Sequence, residues 1–195
     1  MRSLAQYFSE DSQTFSLFRD RAVIDSDGGV RSSAVHSLTQ YFSEDSQTLP
    51  LLRDRAVNDS EGEVRSSAVH SLAQYFSEDS QTLPLLRDRA VNDTAGEVRS
   101  SAVRSLAEYF SEDSQTLPLL SDRTIKDQSP TPDDKKEEWV KYVREIAINA
   151  IAIYWPDHPD TLPLLKNRAK NDPTPWLRER AKELIKELTE SKKKA

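Results

Sequence analysis

The sequence predicts an all-α fold, an α-solenoid of paired helices, on three observations. Residues 64–97 repeat residues 30–63 with only three differences, Thr39 for Ala73, Ser60 for Thr94 and Glu61 for Ala95. A fixed period of this kind marks a stack of supersecondary units, each burying its apolar face on the next. Within each unit the apolar residues recur at i, i+3 and i+4, and the alternation that a strand needs is missing. Proline, aspartate and serine return at the same places in successive units and punctuate the helices.

Taken in order, the chain opens on half a unit, residues 1–8: Leu4 aligns with Leu38, so Met1 falls where the middle of a helix is expected. That half helix is expected to mark a cut or an unusual start. Repeats follow over 12–42, 46–76, 80–110, 114–155 and 159–191. Two kinds of helix alternate within them. The A type reads SQTLPLLRDRAV, and places Leu49, Leu52 and Ala56 on one stripe. The B type reads EVRSSAVHSLAQYF. Expected spans are 12–24, 30–42, 46–57, 63–76, 80–91, 97–110 and 114–126.

Pro50 is harmless if its helix starts at Thr48 and bends the helix if it starts at Asp45. Ser60 with Glu63, and Thr94 with Glu97, fit the S/T-x-x-E capping box at the start of a B helix; the first unit has Gly29 where Glu is required. The period breaks between Val98 and Val143, and an inserted A-to-B loop near 127–138 carries Pro130, Pro132 and many charges. A B helix is then expected over 138–155, an A motif from Thr161 to Leu165, and a polar final helix over 175–191 that reads as a terminal cap.

Composition restricts function. Of the 195 residues 36% are hydrophobic and 31% charged, which suits an elongated stack better than a compact globule. The net charge of −6 is spread along the repeats and repels phosphate backbones, so nucleic acid is an unlikely partner. Lys192, Lys193 and Lys194 read as a solvated terminus. There is no cysteine, hence no disulfide or thiol chemistry. No run reaches the roughly 18 apolar residues of a membrane span. Residues 1–8 lack the apolar core of a secretory signal, so a cytoplasmic location is expected.

A proline inside the A helix, an Asp at its end and a Val-Arg opening of B resemble HEAT repeats. The residues are Pro50, Asp59, Val64 and Arg65; Pro84, Asp93, Val98 and Arg99; Pro118, Asp127, Val143 and Arg144; and Pro163, Asp172, Leu177 and Arg178. The 34-residue period is also that of tetratricopeptide repeats, but their Trp, Gly-Tyr and Ala-Phe spacing is missing. The phrases LPLLRDRAVND and DTLPLLKNRAKNDPTPWLRERA are similar to short HEAT-like units of the phycobilisome-lyase type, including those in the C-terminal arrays of cyanobacterial NACHT-type ATPases. The resemblance implies a right-handed α-solenoid of HEAT-like helical pairs acting as a sensing or interaction region. Because the G-x-x-x-x-G-K-[ST] motif is absent, an ATPase part would belong to a larger parent. HEAT-like repeats in phycobilin lyases and DNA glycosylases supply the enzymatic alternatives, a lyase-like or chaperone-like protein holding a ligand in its concave groove among them.

The resemblance also implies that Asp59, Arg65, Asp93, Arg99, Asp127, Arg144, Asp172 and Arg178, with Asp25 and Arg31 before them, form a ladder registering neighbouring units. On a helical wheel Arg65 falls within the buried arc. Such rungs, if solvent-exposed, contribute only about 0–1 kcal/mol, so the core leucines are expected to dominate stability.

Ser67 and His70 lie one turn apart, without an acid on their face to orient a nucleophile. His36, His70 and His158 lack ligand spacing with Cys or acids. Catalytic, cofactor and metal sites are therefore not expected. The acids Glu44, Asp45, Glu78, Asp79, Glu112 and Asp113 sit beside helix N-termini on dipole grounds alone. Trp139, Trp155 and Trp176 read as packing between units.

HEAT architecture places the B helices on the concave side, and His36, His70, Gln74, Arg104, Glu108, Ile146, Asn149, Ile153 and Arg180 are the candidate partner-binding residues there. Ile146 and Ile153 stand where earlier units have Ser101 and Glu108. They mark either internal burial or a contact for a partner or a second copy through the fourth B helix. The reading is a non-catalytic protein-interaction scaffold, the partner being a protein.

Overall fold

The computed structural model describes residues 12–127 and 143–194, which contain ten α-helices and no strand. The half helix expected over 1–8, the insertion around 128–138 and Trp139 lie outside the described residues. Two compact units divide the chain, Met1–Ser105 and Leu106–Ala195.

In the first unit the helices are α1 (Ser12–Ile24), α2 (Gly28–Tyr41), α3 (Thr48–Asn58), α4 (Gly62–Tyr75), α5 (Thr82–Asn92) and the beginning of α6 (Gly96–Tyr109). A-type α1 packs on B-type α2, α3 packs on α4, and the B helices α2 and α4 lie side by side. The core follows the i, i+3, i+4 stripes. Phe18, Leu38, Leu52, Leu72 and Leu86 are fully buried, with Ala34, Val35, Ala68 and Val69 between them. Phe42 closes one end, with its ring edge-on to Phe15 at 5.6 Å.

In the second unit α7 (Thr116–Lys126) packs on α8 (Val143–Tyr154), and α9 (Thr161–Asn171) on α10 (Pro175–Lys194), which also contacts α8. Ile148, Ala152, Leu165, Leu177, Ala181 and Leu184 form a common core. The expected start of α8 at 138 lies outside the described residues.

Three A helices start two residues later than the sequence suggested, at Thr48, Thr82 and Thr116 instead of at 46, 80 and 114, and the fourth starts at Thr161, where its motif begins. The turn before them sets that start. The Asp45 side chain accepts from Gln47 N at 2.8 Å, Thr48 N donates to Asp45 O at 3.0 Å, and Thr48 Oγ1 donates to Phe42 O at 2.6 Å. Pro50 then falls in the first turn, where its missing N–H leaves no vacancy in the ladder. In the fourth such turn a histidine replaces the aspartate: His158 Nδ1 accepts from Asp160 N at 3.3 Å, and Thr161 Oγ1 donates to Trp155 O at 2.6 Å.

The capping boxes do not form as expected. Helix α4 begins at Gly62 with Glu61 at its N-cap, and no side chain caps it; α6 begins at Gly96, directly after Ala95. Ser60 is therefore one position too early. The first B helix is the better capped one, because Asp27 accepts from Gly29 N at 2.7 Å and Val30 N at 3.2 Å.

Between the repeats of the first unit the charged ladder is buried at Arg31, Asp59, Arg65 and Asp93, contrary to the solvent-exposed estimate. Arg31 donates from Nε and Nη2 to the two oxygens of Asp59 at 2.9 and 2.7 Å, and from Nη1 to Asp25 O at 2.8 Å. Arg65 repeats this on Asp93 at 3.0 and 2.8 Å and on Asp59 O at 2.8 Å. Each arginine thus ties its own A helix's last carbonyl to the next A helix's terminal carboxylate, and the bidentate geometry fixes register.

Burial by itself raises the Asp59 and Asp93 carboxyls. The paired guanidinium and a backbone N–H, from Glu61 and Ala95 respectively, outweigh it and hold both below the usual carboxylate range. Arg99 and Arg178 make the same carbonyl contact, with Asp93 O and Asp172 O, both at 2.8 Å. In the second unit the rung is looser. Arg144 stands 3.7 Å from Asp172 and donates instead to Thr174 Oγ1 at 2.8 Å.

Candidate interaction surface on the B helices

The B helices α2, α4 and α6 bury Ala34, Val35 and Leu38 and their equivalents on one side, where α2 and α4 also bury Arg31 and Arg65. A 3.6-residue period then turns positions 33, 36 and 40 of the first helix, and 67, 70 and 74 of the second, to the other side. In the first unit Ser33, Gln40, His70, Gln74 and Arg104 are exposed, while His36, Ser67 and Ser101 are half-buried. Ser101 Oγ donates to Ser66 O at 3.1 Å, joining α6 to α4 on this side. Helices α2 and α4 pack side by side and carry the same residue types at these positions, histidine at 36 and 70 and glutamine at 40 and 74. The face is a polar, hydrogen-bonding surface whose chemistry repeats from one helix to the next.

The second unit is different. Glu108 and Ile153 are exposed, Asn149 and Arg180 are half-buried, and Ile146 is buried at 7% exposure. Burial of Ile146 takes it off the candidate surface: α8 is enclosed over most of its circumference, with Val143, Ala147, Ile148, Ala150, Ile151 and Ala152 buried as well. Ile153, 68% exposed, is what remains of the apolar patch. Arg180 Nε donates to Asn149 Oδ1 at 2.9 Å, and its Nη1 reaches Glu183 at 3.1 Å and Glu187 at 3.2 Å. Asn149 Nδ2 donates to Glu145 O at 2.9 Å. The sequence reading did not single out Glu183 or Glu187 as partners of Arg180; their i+3 and i+7 placement on α10 was the available signal.

Among the described residues no group of three or more His, Asp or Glu side chains is arranged to hold a metal ion, and no helix is long and apolar enough to cross a membrane. Trp155 is half-buried, with Tyr154 set edge-on to it at 6.1 Å, and Trp176 is exposed at 36%.

A family model described as HEAT repeats matches residues 2–73 and again 58–131, which together span 130 of the 195 residues. No curated protein sequence matches the chain.

Proposed function

The chain belongs to the HEAT-repeat family, whose arrays generally serve as protein-interaction scaffolds, and from that premise we propose that it is a non-catalytic scaffold binding a protein through its outward B-helix face. One observation supports the choice of surface. The pairs Ser33 and Ser67, His36 and His70, and Gln40 and Gln74, each with at least one exposed member, recur on adjacent packed helices and offer a partner the same hydrogen-bonding groups at one-repeat spacing. The similarity of the A motifs to the C-terminal arrays of NACHT-type ATPases supports a sensing role within a larger cytoplasmic protein.

The test is crosslinking in a lysate of the source organism with the wild type and with an H70A/Q74A variant. Both residues are exposed, and the Tm of the variant is measured beside the capture. Loss of a captured protein band with Tm unchanged supports the face. Identical capture by both proteins overturns it, and a specific absorbance shift on adding a bilin replaces the scaffold reading with a ligand-holding one. An I153S variant adds the self-association arm: an oligomer that it abolishes assigns contact to the fourth B helix.

A further inference from the structure

The two seams of the first unit are chemically interchangeable. In the first, the α1/α2 pair meets the α3/α4 pair; in the second, α4 meets the α5/α6 pair. The donating faces match, since α2 and α4 differ after their glycine-containing first turns only at Thr39 and Ala73. Thr39 Oγ1 donates to Val35 O of its own helix at 2.8 Å and so demands nothing of a neighbour.

The accepting faces match too. Helices α3 and α5 have the same eleven residues, TLPLLRDRAVN, and α4 and α6 differ within the first unit only at His70 and Arg104, both exposed. The rungs use the same atoms, at 2.9 and 2.7 Å in the first and 3.0 and 2.8 Å in the second. At the turn, Glu61 packs over Gly28 as Ala95 packs over Gly62.

We propose that this seam is also an intermolecular binding surface, and that its partner is a second copy of the chain exchanging its α1/α2 pair. Helix α2 gains the same buried leucines and the same bidentate rung whether the receiving pair belongs to its own chain or to another. Within one chain the native pairing wins because only the six-residue turn 42–47 separates α2 from α3, which gives an effective concentration on the order of millimolar. Between chains, exchange needs that concentration to be approached while the seam is open, that is, during folding. Exchange of identical elements restores every seam contact in the other copy and leaves only the 42–47 turn to open, at the cost of bonds such as Thr48 Oγ1 to Phe42 O, which makes it a low-cost route to a dimer. This surface is distinct from the outward B face and stands independently of it.

The test is refolding of the whole chain from denaturant at micromolar and at near-millimolar concentration, followed by light scattering at one common dilution. The expected result is monomer from the dilute refold and, from the concentrated one, a dimer with undiminished helical content that persists on dilution until unfolded again. Monomer from both, or a dimer that assembles merely on mixing folded monomers, overturns the proposal.

A second measurement asks whether the seam is the exchanged surface. The R31D/D59R variant reverses the first rung, so reciprocal exchange with wild type sets like charges against each other. Refolded at high concentration in equal amounts with a heavier-tagged wild type, it should give mixed dimers several-fold rarer than the half expected for random exchange. A random proportion overturns the assignment of the seam. If the variant does not fold, the wild-type concentration series still decides.

Discussion

At the scale of single residues, the rungs weigh as much as the leucines. Arg65 and Asp93 are both nearly inaccessible, and Arg65 holds two backbone carbonyls besides the carboxylate. Removing its guanidinium strands a buried charge, which costs about 3–5 kcal/mol, against about 2–5 kcal/mol for the cavity left by Leu72→Ala. Urea unfolding of R65A and L72A should therefore give losses of similar size; an R65A loss below about 1 kcal/mol would return the rung to the class of exposed pairs. The same pairing fixes the sign of the pH dependence. Asp59 and Asp93 are held below their ordinary range in the folded state, so the stability they confer is fully present above the unfolded carboxylate pKa of about 3.9. It is lost as pH falls from there through the folded values. A D93N variant, less stable at neutral pH, should show a shallower fall in unfolding midpoint below pH 4 than wild type. An unchanged acid slope would mean that Asp93 contributes nothing to it.

At the scale of elements, the close approach of successive units gives Gly62 its role. A β-carbon there would lie 2.9 Å from Ala95 Cβ and against the Glu97 carboxylate, in the first turn of α4. Alanine improves helix propensity by about 1 kcal/mol over glycine, but relieving the clash with a β-carbon costs about 1–3 kcal/mol. The prediction is that G62A lowers the Tm and that A95G in the same chain restores part of the loss; a stabilised G62A single variant would show that the turn yields freely. The helices themselves were legible because the apolar stripe of Leu49, Leu52 and Ala56 needs no tertiary information. Their first residues were not, since Thr48 begins α3 through a hydroxyl bond to Phe42 O across a turn. The capping boxes misled for a related reason: the S/T-x-x-E spacing is present, but the helix starts at the glycine, one position after the frame that spacing requires. On the candidate surface the polar positions could be read from a wheel. Ile146 and Ile153 could not be told apart, because an apolar residue on a helix enclosed over most of its circumference is placed by its neighbours.

At the scale of the whole molecule, stability in a repeat array is a sum of unit terms and nearest-neighbour seam terms, with no central core that every residue must complete. A partner's identity leaves no such periodic mark, which is why the repeat makes the architecture legible and not what the chain binds. Periodicity does predict what shortening the array does. Deleting residues 30–63 joins Gly29 to Val64, so the B helix after α1 becomes the VRSSAVHSLAQY of α4, followed directly by α5. Its Arg65 finds Asp93 at the same distances as in the intact chain, and α1 meets a helix face that differs from α2 only in Ala73 for Thr39. The shortened chain should keep its helical signal per residue and unfold cooperatively, with a smaller denaturant slope because less surface is exposed on unfolding. Deleting residues 30–46 instead removes half a period, leaves α1 joined to an A helix and breaks the alternation on which every seam depends. That variant should lose cooperative unfolding. If the two deletions behave alike, the units are not the independent, interchangeable pieces that the rungs and leucines describe.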